Sequence, residues 1–266
     1  MWGFSMWLRE KVEEAIEFLR KNEGEDGYVV KFSGGKDSIV TLDLVRRAGV
    51  RYRARYNFTG LEPPEVLRFM REEYSEVEWV RPKHTFWYWV RKVGPPTKAR
   101  RWCCTKLKHA AVRDEKGCKI VVGVRAEESY KRRNRGRVSW NADGKNWVYA
   151  PIFYFTEADV WEYIEERGLR YPSLYDEGFE RIACVVCPFL CGHDELLRRH
   201  RERWPGFYRA FERVVKEYFE GRREWFRSMG VESVEEYLER WYSNRPLVDG
   251  REEEEGMEQY QGVLFR

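Results

Sequence analysis

Glutamine is nearly absent from this sequence: Gln259 and Gln261 are the only two among 266 residues. Glu and Arg are abundant instead, a balance that resembles the composition of thermostable proteins. No apolar run is long enough for a membrane-spanning helix. No secretory leader is legible either, because Met1-Trp2-Gly3-Phe4 runs directly into a charged segment. The expectation is a cytoplasmic protein with no membrane partner. Disulfides are rare in that compartment, so the six cysteines need another explanation. A strong excess of one charge is missing too. Although 35% of residues are charged, the net charge is only +4, which permits an anionic partner without requiring one. No internal repeat is present. The length suits one large domain, or one domain with an appended subdomain, and can bury a core without disulfide staples.

What is present is an alternation of short strands and helices. Leu8, Val12, Ala15, Ile16 and Leu19 recur at helical spacing over 7–21. A strand is expected over 28–32, a helix over 39–47 closed by Gly49, and a second strand over 52–58. Pro63-Pro64 open a helix that runs to Tyr74. Further strands are expected at 77–80, 119–123 and 147–152, with a helix at 85–93 and a basic, Pro-bearing loop at 94–101. Thr156 with Asp159 three residues on is a capping-box pattern, and Gly168 closes that helix. This order predicts βαβ units and a doubly wound, parallel α/β sheet. From about His193 the pattern turns helical, charged and aromatic, so the expected domains are 1–195 (α/β), 196–250 (a helical C-terminal subdomain) and 251–266 (a disordered tail with the acidic run at 252–255). Phe211, Val214, Val215 and Phe219 form the apolar face of the helical part, suited to capping the sheet or to a homodimer contact.

Between the first strand and its helix lies Ser33-Gly34-Gly35-Lys36-Asp37-Ser38. Glycines let the backbone turn tightly and approach a phosphate, and the helix that follows offers unpaired N–H groups and the positive end of its dipole. Lys36 adds charge and the serine hydroxyls add donors. Asp37 suits such a place if Mg²⁺ is bound with the phosphate. A plain Gly-Gly turn is the bland alternative. The spacing is not that of the Walker loop. It resembles the PP-loop of ATP pyrophosphatases, whose pattern Ser-Gly-Gly-x-Asp-Ser stands here in full. The resemblance implies ATP cleavage between the α and β phosphates.

Five of the cysteines form two groups: Cys103-Cys104, and Cys184-x-x-Cys187 followed by Cys191. Cys118 reads as an inert core thiol. Inert thiols, a structural Zn²⁺ site and an iron–sulfur cluster all remain open on spacing alone, though adjacent cysteines diverge on an extended backbone and are awkward zinc ligands. The pattern of a Cys-Cys pair, some eighty residues, then Cys-x-x-Cys resembles the iron–sulfur adenylyl-sulfate reductases of the PAPS reductase family, a branch of the PP-loop class. Gly123-Val124-Arg125-Ala126-Glu127-Glu128-Ser129 and Leu174-Tyr175-Asp176-Glu177-Gly178-Phe179 resemble further stretches of that family. The resemblance implies a [4Fe-4S] cluster on Cys103, Cys104, Cys184 and Cys187. It also implies an adenine nucleotide held by Ser33, Gly34, Gly35, Lys36, Asp37, Ser38, Arg125, Glu128 and Ser129.

Two features depart from the reductases. Those enzymes carry a nucleophilic cysteine near the C-terminus, whereas no cysteine follows Cys191 here. They also tend to have a degenerate loop, whereas this one is intact. An intact loop beside clustered cysteines resembles the sulfur-inserting PP-loop enzymes, which adenylate an acceptor and then replace oxygen with sulfur. The expected catalytic residues are Lys36, Asp37, Arg125 and Cys191, with Cys191 as a persulfide carrier, an alternative ligand or a bystander thiol. The expected cofactors are ATP, Mg²⁺ and the cluster, with Zn²⁺ as the alternative metal. The alternatives to sulfur transfer are sulfonucleotide reduction, drawing on a thioredoxin-like reductant, and a zinc-containing binding module without catalysis.

Basic runs at 131–137, around the cysteine pair (Lys98, Arg100, Arg101, Lys106, Lys108) and at 198–203 attract phosphates. Trp102, Trp140, Trp147 and Trp204 lie among them and suit base stacking. A tRNA or DNA acceptor and a separate sulfur donor are therefore the expected partners beside the nucleotide. Solvated, Arg-rich surface is the competing reading.

Overall fold

The computed structural model describes residues 4–109, 115–142 and 144–248. The acidic run at 252–255 lies outside the described residues. Two compact units divide the chain: residues 1–85 with 103–184, and residues 86–102 with 185–266.

The first unit is built on a six-stranded sheet in the order β3-β2-β1-β4-β6-β5. Its strands are β1 (Tyr28–Lys31), β2 (Tyr52–Asn57), β3 (Glu78–Val80), β4 (Lys119–Val122), β5 (Val138–Asn141) and β6 (Asn146–Tyr149). All neighbours pair in parallel except β5, which runs antiparallel to β6 at the edge. Val29 and Val30 of β1 and Ile120 and Val121 of β4 are buried at the centre, as strands covered on both faces require. Helices α1 (Met6–Lys21), α2 (Lys36–Ala48) and α6 (Glu157–Arg167) pack with one another. All five buried residues of α1 are the ones its apolar spacing marks out. At α6, Thr156 accepts from Asp159 N–H at 3.1 Å and Asp159 accepts from Thr156 N–H at 2.6 Å, a complete capping box.

Strand order reverses at β1: the chain proceeds to β2 and β3 on one side, then returns to β4 and β6 on the other. A crevice outside the carboxyl ends of β1 and β4 follows from that topology, and it is where open α/β sheets hold ligands.

Three details differ from the sequence reading. The helix after the glycine loop begins at Lys36, because Gly35 is already its N-cap. The basic run after Ser129 folds as helix α5 (Tyr130–Arg135) and then as the edge strand β5; short exposed elements of this kind carry no apolar period to announce them. The last expected strand stops at Tyr149 and turns at 151–154.

The second unit is helical: α4 (Phe86–Val93), α7 (Asp194–Arg203), α8 (Pro205–Glu220), α9 (Arg223–Ser228) and α10 (Val234–Tyr242), after α3 (Pro64–Glu73) of the first unit. Phe211, Val214, Val215 and Phe219 are the buried face of α8. Phe211 packs on Trp241 at 4.5 Å and on Phe86 at 6.3 Å, and Phe219 stacks on Phe226 at 4.6 Å. This aromatic packing draws residues 86–102 into the helical unit, so the division does not fall at one point near residue 195. Among the described residues no helix is long and apolar enough to cross a membrane.

Candidate nucleotide site

The glycine loop leaves β1 and caps α2. Gly34 has φ +73°, and a Cβ there would stand 2.8 Å from Met70 Cγ, so only glycine fits. Ser38 ties the loop internally: its hydroxyl donates to Gly35 O at 2.8 Å and accepts from Ser33 N–H at 3.2 Å. Across the crevice Gly123, just past β4, lets α2 approach; a Cβ there would lie 2.7 Å from the Asp37 carbonyl oxygen.

A cavity of about 570 Å³ opens at this point, lined by Ser33, Gly35, Lys36, Asp37, Ser38, Gly123, Arg125 and Glu128, together with Lys31, Glu127, Arg132, Glu157, Tyr175 and Arg181. Thus most of the residues singled out from sequence meet in one place. Gly34 shapes the loop from behind, and Ser129 serves as N-cap of α5, accepting from Arg132 N–H at 3.2 Å.

The electrostatics centre on Arg125, which is 3% exposed. It donates to Asp37 at 2.5 Å, pairs with Glu127, and stands 3.8 Å from Glu157. Burial alone would lower its pKa, but these carboxylates outweigh burial and push it up. Lys36 is also buried. Its ammonium lies 3.1 Å from Glu157 and donates to Glu180 O at 2.8 Å, while its backbone N–H donates to the Tyr175 hydroxyl at 2.9 Å. Burial works to raise the Glu157 carboxyl, yet Lys36 and Arg125 hold it below the usual carboxylate range. Burial pushes the Tyr175 phenol up to about 12, so it stays a neutral hydroxyl. Lys36 is therefore turned into the protein, with one of the first N–H groups of α2 taken up by Tyr175.

Tyr175, Glu157, Gly123, Lys31 and Arg181 were not assigned roles from the sequence, whereas Arg132 belongs to the basic run at 131–137 read as attracting phosphates. Gly123 and Tyr175 lie inside the two family-like stretches, so a signal existed for them; Glu157, at the start of α6, had none.

Carboxylates are the donors Mg²⁺ takes, but Asp37, Glu127 and Glu157 close around the Arg125 guanidinium. The cysteines divide between the units. In the sheet unit, Cys103 and Cys104 lead into one π-helical turn (Cys104–His109), and Cys184 Sγ stands 3.8 Å from Thr59 Oγ1. Burial raises the Cys184 thiol, with smaller upward contributions from Glu62 and Cys104 against Lys108. In the helical unit, Cys191 is 2% exposed, and burial, reinforced by Cys187, pushes its thiol up to about 12. The thiol expected to be catalytic is thus covered and held protonated. Among the described residues no group of three or more His, Cys, Asp or Glu is arranged to hold a metal ion.

Of the tryptophans considered for stacking, Trp102 and Trp204 are buried, whereas Trp140 and Trp147 are 53% and 48% exposed and meet edge-to-face across β5 and β6 at 5.3 Å.

A glycine loop feeding a helix N-terminus at the switch point of a mostly parallel sheet defines an adenine-nucleotide PP-loop fold. Residues 27–190 match the family described as the phosphoadenosine phosphosulfate reductase domain, and the chain belongs to that family. Among curated relatives, an uncharacterized protein of Methanocaldococcus jannaschii is 32% identical over 270 residues, covering 90% of this chain and 55% of its own length. A second Methanocaldococcus jannaschii protein is covered over 47%, so the chain spans about half the length of these two relatives. The adenosine 5'-phosphosulfate reductase of Staphylococcus haemolyticus is 25% identical over 65% of this chain and 75% of its own. Among solved structures, the phosphoadenylyl-sulfate reductase of Candida auris superposes with a TM-score of 0.52 at 15% identity, over 69% of this chain and 97% of that one. The FMN adenylyltransferase of Candida glabrata also reaches 0.52, at 12% identity, over 69% of this chain and 67% of that one. Both show the same fold.

Proposed function

We propose that the crevice binds the phosphates of an adenine nucleotide and that the chain works in ATP-dependent sulfur transfer. The observation that carries this reading is the complete glycine loop at the N-terminus of α2, opening into the cavity beside the part-buried Asp37–Arg125 pair. An oxygen of the acceptor attacks the α-phosphorus, the bond to the bridging oxygen breaks, and pyrophosphate leaves. A sulfur nucleophile then displaces AMP from the adenylated acceptor. The loop N–H groups hold the leaving pyrophosphate, and Arg125 meets charge that builds on the phosphoryl oxygens. To do so it exchanges Asp37 for phosphate.

A nucleic acid, tRNA or DNA, is the proposed acceptor. Helix α5 supports it with Lys131, Arg132, Arg133 and Arg135 and no acidic residue, and the exposed Trp140–Trp147 pair adds a stacking surface. The sulfur donor is a separate partner. Cys103, Cys104, Cys184 and Cys187 supply the right donor chemistry for an iron–sulfur cluster. The proposal includes that cluster on these four thiols.

The second reading is sulfonucleotide reduction, favoured by the family and by the adenylyl-sulfate reductase relatives. One assay separates the two. The protein is given adenylyl sulfate or phosphoadenylyl sulfate with a dithiol reductant, and sulfite is measured. The expected result is no sulfite above background, with binding of ATP in the same preparation abolished by Ser38→Tyr, which fills the loop. Steady sulfite release overturns sulfur transfer and establishes the reductase reading.

A further inference from the structure

Five cations line the nucleotide cavity: Lys31, Lys36, Arg125, Arg132 and Arg181. Four already face carboxylates. Lys31 pairs with Glu115 at 2.6 Å, Lys36 with Glu157 at 3.1 Å, Arg125 with Asp37 at 2.5 Å, and Arg132 with Glu128. Among the described residues, Arg181 has neither an ion pair nor a side-chain hydrogen bond. Its charge nonetheless reaches the crevice, where it acts to lower the Tyr175 pKa against the larger effect of burial.

From this charge pattern we propose that Arg181, which neither the loop motif nor the family-like stretches include, is the residue that captures the phosphate charge of the ligand. A paired cation must give up its carboxylate before it serves a phosphate, and the released carboxylate then repels the ligand. Arg181 incurs no such cost, and its planar fork matches two phosphate oxygens at once. The segment that carries it is also held in place. The adjacent Glu180 carbonyl accepts from Lys36 Nζ at 2.8 Å, and the Tyr175 hydroxyl accepts from Lys36 N–H at 2.9 Å. The backbone bearing Arg181 is therefore clipped to the phosphate loop before any ligand arrives. The inference deepens the nucleotide-binding reading and rests on it for the identity of the ligand, but not for the anion.

Calorimetric titration of the full chain tests this with three probes: inorganic pyrophosphate, ATP and adenosine. Arg181→Ala is expected to weaken pyrophosphate and ATP about ten- to a hundredfold, the range of a charge-assisted hydrogen-bond pair. Adenosine binding should not change, and Arg181→Lys should recover part of the loss. The side chain is exposed, so the melting temperature of both variants should match the parent, which separates lost capture from lost folding. If Arg181→Ala binds pyrophosphate and ATP as tightly as the parent, the proposal is overturned while the nucleotide reading stands. If the parent binds pyrophosphate in an Arg181-dependent way but neither ATP nor adenosine, the proposal stands and the nucleotide reading falls. If the parent binds none of the three, both fall.

Discussion

Single residues set the crevice by what they leave out. At Gly123 a methyl group would meet backbone, the Asp37 carbonyl carbon and oxygen at 2.8 and 2.7 Å, and backbone at the start of a helix cannot swing aside. Gly123→Ala is therefore expected to cost about 1–3 kcal/mol of stability, as overpacking does, and to weaken nucleotide binding by pushing α2 away from β4. Denaturant titration and nucleotide binding check the two effects. Gly206→Ala is the control: nothing lies within 4 Å of its added Cβ, so it should be close to neutral. A destabilised Gly206→Ala with an unaffected Gly123→Ala would reverse the argument. Cys191 shows the converse, a residue whose type invites a chemical role and whose thiol the fold covers.

At the scale of elements, the helical unit is held by aromatic faces. Phe211 on α8 is fully buried and touches Trp241 of α10 and Phe86 of α4. Three helices thus share one ring. Phe211→Ala should lower stability by about 3–5 kcal/mol, seen as an earlier urea midpoint and as faster amide exchange in α4, α8 and α10. Loss confined to α8 would mean that the helices do not depend on that ring together. Elements with a strong period, such as α1, α8 and the strands β1 and β4, were legible in sequence because burial of one face imposes the spacing. Helix α5 and strand β5 were not, since both are short and exposed and their residues answer to charge and edge pairing rather than to a core.

For the whole molecule, Cys103, Cys104, Cys184 and Cys187 come from segments far apart in the sequence. The proposed cluster makes a definite prediction. Protein purified without oxygen should carry about four iron and four sulfide per chain and a broad absorption band in the visible. The Cys184→Ser variant should lose both while still binding ATP, because the crevice is built from other residues. Zinc at about one per chain, with no sulfide, would make the thiols structural and favour a binding module. Neither metal would leave the thiols without a joint role.

What the sequence determined by itself is whatever depends on local spacing and residue chemistry. That covers the alternating elements, the capping box at Thr156, the glycine loop and the family-like stretches around Arg125 and Tyr175, because backbone geometry and periodic burial act over a few residues. The tertiary structure alone decided which charges are spent. Lys36 and Arg125 read as free cations in the chain, yet folding brings Glu157, from a helix more than a hundred residues beyond Lys36, against both. Arg181 reads as one more arginine among many and, among the described residues, emerges with no ion pair or side-chain hydrogen bond. Charge compensation is a property of neighbours in space, and in a parallel sheet those neighbours come from distant segments.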